Sequence, residues 1–223
     1  MKKRPLLHIL SFPILAICLI LAAVEFYPIL LWGIKHYVLY KWFGAGFAAY
    51  FLLRLLPFVR KNEEFIQTFS HEFTHTIVGL MFGQKIHSFK ATNGEGGEIW
   101  HSGNRFGGIF IALAPYCLPI FTYAFLLLRI IGAAQQLMWF DIFIGFTLAF
   151  HATCFAKQTR NYQTDIQQHG YFKSHLFIAV FWLFNATVIL LSIRKGIFNS
   201  ATYLFPQYWQ DIVSFWKCVF GNP

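Results

Sequence analysis

Residues 65–82 read FIQTFSHEFTHTIVGLMF, an apolar stretch that carries His71, Glu72 and His75 near its middle. Its length is close to the roughly 18–20 apolar residues that cross a bilayer as a helix. Ionisable side chains are costly inside a membrane, and most of those found there serve a function. The stretch therefore predicts a membrane helix that carries a functional site.

The composition of the whole chain favours a membrane protein over a water-soluble one. Hydrophobic residues make up 57% of the 223 residues, and charged residues make up only 12%, about half of their share in soluble domains. A soluble protein must present a polar exterior, which this chain has too few polar residues to form. The net charge of +9 comes largely from Lys and Arg at the ends of apolar runs, an arrangement that suits anionic lipid headgroups. The lipid bilayer is therefore an expected partner, and nucleic acid is not.

Long apolar segments recur along the chain and predict an all-α polytopic membrane protein, because a lipid-exposed strand cannot satisfy its backbone. The six candidate segments are residues 5–32, 37–59, 65–82, 109–131, 137–155 and 176–193. Between the third and fourth segments, two short runs flank Asn93-Gly94-Glu95-Gly96-Gly97. This pattern predicts a short β-hairpin after the helix that carries the histidines.

We expect a single membrane domain over residues 1–223. Its core, which contains the segment with the histidines, is predicted at about residues 64–178, after N-terminal helices at 5–59. A C-terminal helix and an aromatic tail at 176–223 complete it, and the tail is expected at the membrane interface, which Trp and Tyr prefer. The expected location is a multi-pass position in a membrane, in particular a bacterial inner membrane.

His71 and His75 are spaced to bind one metal ion from a single face of a helix. Side chains four residues apart lie about one turn apart on a helix, and two imidazoles so placed can bind Zn²⁺ at about 2.0–2.1 Å each. Glu72 follows His71 about 100° further around the helix, where its carboxylate can take a proton from a metal-bound water. This His-Glu-x-x-His pattern predicts two zinc ligands and a general base. The alternative is a buried polar network without a metal ion.

A third protein ligand is needed, because a catalytic zinc site has three protein ligands and one open position. The candidates are Glu95, Glu98, Asp141, His151 and Asp165. Both glutamates lie in the predicted hairpin rather than on a second helix, which makes them weaker candidates. We favour Asp165, the one acidic residue in the polar interval 157–174, because a carboxylate is a suitable zinc ligand. His151, in an otherwise apolar segment, is the alternative.

The order of these features resembles the site-2 protease family of intramembrane zinc metalloproteases. The resemblance covers about residues 64–178, where the His-Glu-x-x-His segment, a Gly-containing β-loop and further apolar helices follow one another. In that family the third zinc ligand is a late Asp near the end of a membrane helix, which corresponds by order to Asp165. The resemblance implies a core of three membrane helices and a membrane-protein or peptide substrate. The resemblance is to a divergent member, because neither Pro nor Gly adjoins Asp165 and Thr74 replaces the Gly often found before the second His.

Two other functions share part of this pattern. A non-catalytic zinc-binding membrane protein would keep the ligands without turning over a substrate. A metal or cation transporter would line a path with His and Asp side chains, whereas here the ionisable residues are concentrated in one segment. The sequence therefore favours a metalloendopeptidase.

Overall fold

The computed structural model describes residues 5–92, 96–102, 107–159 and 163–220, and this part of the chain is mostly helical. The helices are α1 (Pro5–Lys35), α2 (Lys41–Leu53), α3 (Pro57–Met81), α4 (Gly108–Cys117), α5 (Ile120–Ile131), α6 (Leu137–Gln158), α7 (Thr164–His169), α8 (Tyr171–Lys195) and α9 (Ile197–Phe220). The strands are β1 (Lys85–Thr92) and β2 (Gly96–Ser102).

Three helical stretches are long and apolar enough to cross a membrane: Ser11–Lys35, Ala134–Gln158 and Tyr171–Lys195. The pairs α2–α3 and α4–α5 pass the same test only as bent units, with bends of 105° and 81°. The described residues thus contain three candidate spans, or up to five if each bent pair counts as one. Six separate spans are not confirmed, because the second and third apolar segments of the sequence form one bent pair.

Proline accounts for both bends. Leu56 precedes Pro57 and has an extended backbone, with φ −70° and ψ 128°. Leu118 precedes Pro119 and is also extended, with φ −100° and ψ 105°. A proline ring clashes with a helical conformation of the residue before it, so one helix ends and the next begins in a new direction.

Strands β1 and β2 pair antiparallel, from Lys85 opposite Ser102 to Thr92 opposite Gly96. Both strands contact α3. Residues 93–95 lie outside the described part of the chain, so the turn of the predicted hairpin stays a prediction. The strands themselves lie against the helix that carries the histidines.

Helices α2 and α6 approach each other closely through two glycines. A methyl group on Gly46 would overlap the carbonyl oxygen of Ile142, and one on Gly145 would overlap the carbonyl oxygen of Phe43. Small residues at such crossings let helix backbones come together in a membrane. The crossing fixes α6, whose C-terminal end reaches the polar face of α3.

A buried apolar cluster joins α4, α7 and α8. Its members are Leu113, Tyr116, Cys117, Ile166, Phe177 and Ile178. The hydroxyl of Ser174, at the start of α8, donates to the carbonyl of Ile166 at 3.1 Å. These contacts hold the short helix α7, which carries Asp165, beside α4.

Candidate metal centre

The polar side chains of α3 are satisfied partly within the helix itself. The hydroxyl of Thr74 donates to the carbonyl of Ser70 at 2.8 Å, and that of Thr76 to the carbonyl of Glu72 at 3.0 Å. Such bonds to the preceding turn let hydroxyl residues lie in a helix without exposed donors. The two histidines use no such local bonds and point to neighbouring helices instead.

His71, His75 and Asp165 come together in one cluster. The two Nε2 atoms lie 3.2 Å apart. Oδ2 of Asp165 lies 3.5 Å from Nε2 of His71 and 3.3 Å from Nε2 of His75. Four ligands placed tetrahedrally at about 2.0–2.1 Å from an ion are separated from one another by about 3.3–3.4 Å. The three atoms therefore match one face of a zinc tetrahedron.

Both imidazoles face an acceptor with their other nitrogen. Nδ1 of His71 lies 3.2 Å from Oε1 of Gln158, and Nδ1 of His75 lies 2.8 Å from the carbonyl oxygen of Ile111. Because carbonyl oxygens only accept hydrogen bonds, Nδ1 carries the proton in each ring and Nε2 presents its lone pair. Metal-binding histidines typically have such a partner behind the ring. Two lone pairs facing each other are favourable only with a cation between them.

Asp165 is supported by Tyr116, whose ring also packs edge-on against the ring of His71. The hydroxyl of Tyr116 donates to Oδ2 of Asp165 at 3.2 Å, and the carbonyl of Tyr116 accepts from Nε1 of Trp182 at 2.9 Å. Burial raises the pKa of the Asp165 carboxyl, but when the rings of His71 and His75 are protonated at both nitrogens, their hydrogen bonds and charges outweigh burial and hold that pKa below its ordinary value. Asp165 thus stays a carboxylate, the form that binds a metal ion.

Glu72 lies on α3 beneath strand β2 and is 9% exposed. A methyl group on the α-carbon of Gly97 would lie only 2.6 Å from Oε1 of Glu72. The strand therefore passes directly over the carboxylate, and only glycine leaves room for it there.

The chain matches a family model, Peptidase M50B-like, over residues 43–193, which is more than half of its length. The chain belongs to the Peptidase M50B-like family. This is the site-2 protease family, so the resemblance inferred from the sequence is confirmed. The matched region contains both histidines, Glu72 and Asp165. No curated protein and no solved structure matches the chain.

Membership of the M50B-like family agrees with the apolar helices. The family indicates a membrane metallopeptidase, and the long apolar helices agree with an integral membrane protein. The residues present also fit a zinc ion, because two imidazoles and a carboxylate are a donor set that zinc accepts. The roles of these residues as ligands stay a prediction.

The structure does not bring His151 or Asp141, the two other candidate ligands whose side chains it describes, into the cluster. His151 is buried in α6 with its ring stacked on Trp182 at 5.2 Å, and its Nε2 has no hydrogen-bond partner among the described residues. Asp141 instead pairs with Arg129, with 2.9 Å between Oδ1 and Nε. Glu95 lies outside the described residues, as does the side chain of Glu98.

Tyr116 and Gln158 support the cluster and were not predicted from the sequence. Tyr116 lies in an apolar segment, where an aromatic residue is ordinarily part of the core. Gln158 lies in a polar interval among several other amides and hydroxyls. Neither residue has a spacing relative to His71 or His75 that would single it out.

Proposed function

We propose that this chain is a zinc-dependent intramembrane endopeptidase that cleaves a membrane-embedded or juxtamembrane peptide bond. The observation that carries the proposal is the triangle formed by Nε2 of His71, Nε2 of His75 and Oδ2 of Asp165, with sides of 3.2, 3.3 and 3.5 Å. This arrangement supplies three ligands and leaves one tetrahedral position for water or substrate.

Each residue of the site has a definite part in hydrolysis. When bound, zinc lowers the pKa of a water molecule and polarises the carbonyl of the peptide bond. Glu72 accepts the proton of the attacking water and returns it to the leaving amine. His71, His75 and Asp165 would hold the ion, and Gln158, Ile111 and Tyr116 support those three side chains.

The substrate is an extended peptide segment of a membrane protein. A helical substrate must unwind before cleavage, because its carbonyls are held in hydrogen bonds along the helix. The backbone of β1 or β2 can pair with such an unwound segment, as sheet edges do with extended ligands. The proposed location is multi-pass in a membrane, in particular a bacterial inner membrane.

The metal content of the detergent-purified protein tests the zinc site. Elemental mass spectrometry should find about one zinc ion per chain, as a single three-ligand site predicts. The ion should be lost in His71→Ala and in Asp165→Ala and retained in His151→Ala. Zinc that depends on His151 rather than Asp165 would place the third ligand on α6, and wild-type protein free of zinc would contradict the proposal.

The Glu72→Gln variant separates an enzyme from a non-catalytic zinc-binding protein. Wild type and variant would be reconstituted in liposomes with synthetic transmembrane peptides, and new peptide termini would be identified by mass spectrometry. We expect the variant to retain zinc and to lose cleavage, because an amide cannot accept the proton of water. A wild-type protein that binds zinc and cleaves none of these peptides would favour the non-catalytic alternative.

A further inference from the structure

Glu63 is buried in the first half of α3 and has four polar partners. Its Oε1 accepts from Nε of Arg54 at 2.7 Å, from Nε2 of Gln67 at 3.0 Å and from the hydroxyl of Tyr50 at 3.3 Å. Its Oε2 accepts from Nζ of Lys157 at 2.8 Å. These partners come from α2, from the corner between α2 and α3, from α3 itself and from α6. Glu63 thus connects three helices at one level.

Lys157 is the next-to-last residue of α6, and Gln158 is the last. The final residues of a helix have carbonyls without intrahelical donors and are held less firmly than the interior. The ion pair between Lys157 and Glu63 ties this terminus to α3. Gln158 reaches the same helix at His71, about 12 Å further along the axis. The end of α6 is therefore fixed to α3 at two successive side chains.

Gln158 and Asp165 hold opposite sides of one imidazole ring. Oε1 of Gln158 lies 3.2 Å from Nδ1 of His71, and Oδ2 of Asp165 lies 3.5 Å from its Nε2. The end of α6 and the start of α7 thus each bring one partner to His71. An acceptor behind a metal-binding imidazole fixes its tautomer and ring orientation.

We infer that Gln158 is the positioning residue of His71, and that the ion pair between Lys157 and Glu63 holds Gln158 in place for this role. The role rests on the proposed zinc site. Gln158 acts on the metal through His71 and touches no reacting atom. Because its acceptor is a neutral amide, it makes the imidazole a weaker donor to zinc than a carboxylate in the same place would.

Zinc affinity of the full-length protein in detergent, measured by competition with a chelator, tests this role. In Gln158→Met, which keeps the length of the side chain and removes the acceptor, affinity should fall about 10- to 100-fold. In Gln158→Glu, affinity should equal or exceed that of wild type, because a carboxylate accepts the Nδ1 proton more strongly. Gln168→Met is the matched control: Gln168 is exposed on α7, and its loss should leave affinity unchanged.

Lys157→Met tests the second half of the inference. Glu63 keeps Arg54 in this variant, so we expect α6 to stay folded and zinc affinity to fall less than in Gln158→Met. The visible absorption of the Co²⁺-loaded protein gives a readout independent of turnover. Its tetrahedral bands should change in shape in Gln158→Met and Lys157→Met and stay as in wild type in Gln168→Met.

Wild-type affinity in Gln158→Met would overturn the inference. An equal loss in Gln158→Met and Gln158→Glu would overturn it as well, because the effect would then follow side-chain shape and not hydrogen-bond acceptance. If wild type binds zinc tightly, Gln158→Met weakens this binding and no peptide is cleaved, the proposed enzyme function alone would be contradicted. Peptide cleavage with unchanged affinity in Gln158→Met would contradict the positioning role alone, and wild type that binds no zinc would contradict both.

Discussion

The hydroxyl of Tyr116 lies 3.2 Å from Oδ2 of Asp165, the same carboxylate oxygen that faces both histidines. Tyr116 is fully buried, and its backbone carbonyl is held by the indole of Trp182. The phenol therefore has little freedom to leave its partner. It fixes the orientation of the carboxylate, so the three candidate ligand atoms are already arranged around the position of an ion.

Tyr116→Phe should lower zinc affinity by about tenfold or more, because the support of a metal ligand is removed while the ring remains. Chelator competition on the purified protein measures the change. Tyr123→Phe is the control, since it also removes a hydroxyl that donates to a side chain, that of Asn185, away from the cluster. Equal loss of zinc in both variants would show that the hydroxyl of Tyr116 has no particular effect on Asp165.

Gly97→Ala should reduce peptide cleavage strongly and leave zinc content unchanged. The added methyl group would lie 2.6 Å from Oε1 of Glu72, so either strand β2 or the carboxylate must move. Cleavage of reconstituted transmembrane peptides and elemental analysis measure the two effects. Gly108→Ala, where a methyl group meets no described atom within 4 Å, should retain activity, and a fully active Gly97→Ala variant would contradict the proximity of β2 to Glu72.

Gly145→Ala should destabilise the protein by about 1–3 kcal/mol, the usual cost of overpacking a close contact. The new methyl group would overlap the carbonyl of Phe43 and force α2 away from α6. Denaturant unfolding in detergent measures the free energy. The control is Gly44→Ala, because Gly44 also lies on α2 and a methyl group there meets no described atom within 4 Å. This variant should be neutral or more stable by up to about 1 kcal/mol. Equal stability of the two variants would argue against a close crossing of the helices.

Arg129→Met should destabilise the protein by about 3–5 kcal/mol, because it leaves the carboxylate of Asp141 buried without its ion pair. Arg129 also donates to the carbonyls of Ser192 at 3.5 Å and Ile193 at 3.1 Å, so the end of α8 loses donors as well. Denaturant unfolding in detergent measures this change in the free energy of unfolding. The double variant Arg129→Met/Asp141→Leu should recover part of the lost stability. If it recovers none, the contacts of Arg129 with the carbonyls account for most of the loss.

The sequence predicted the parts of the site that depend on local spacing. Residues 71 and 75 must share a face of any helix that contains them, and the structure places their Nε2 atoms 3.2 Å apart. The resemblance to the site-2 proteases pointed to Asp165 by its order along the chain. Gln158 and Tyr116 could not be found in this way, because only the packing of α4, α6 and α7 around α3 brings them to the cluster.

The apolar pattern also could not predict the bends between the helices. Hydropathy reports how long an apolar run is and does not report its direction. The chain turns at Leu56-Pro57 and at Leu118-Pro119. The first turn lies between the second and third predicted segments, which therefore form one bent pair. Prolines next to apolar runs were the available signal for this correction.

Strand β2 passes over Glu72 so closely at Gly97 that a substrate backbone and the strand cannot occupy that place together. In the proposed peptidase, a substrate could reach Glu72 from this side only after the strand moves, so the frequency of this opening would set an upper limit on kcat. Between openings the carboxylate of Glu72 would be shielded, which would protect neighbouring membrane proteins from indiscriminate hydrolysis. Selectivity would then depend on which substrates can displace the strand from this position.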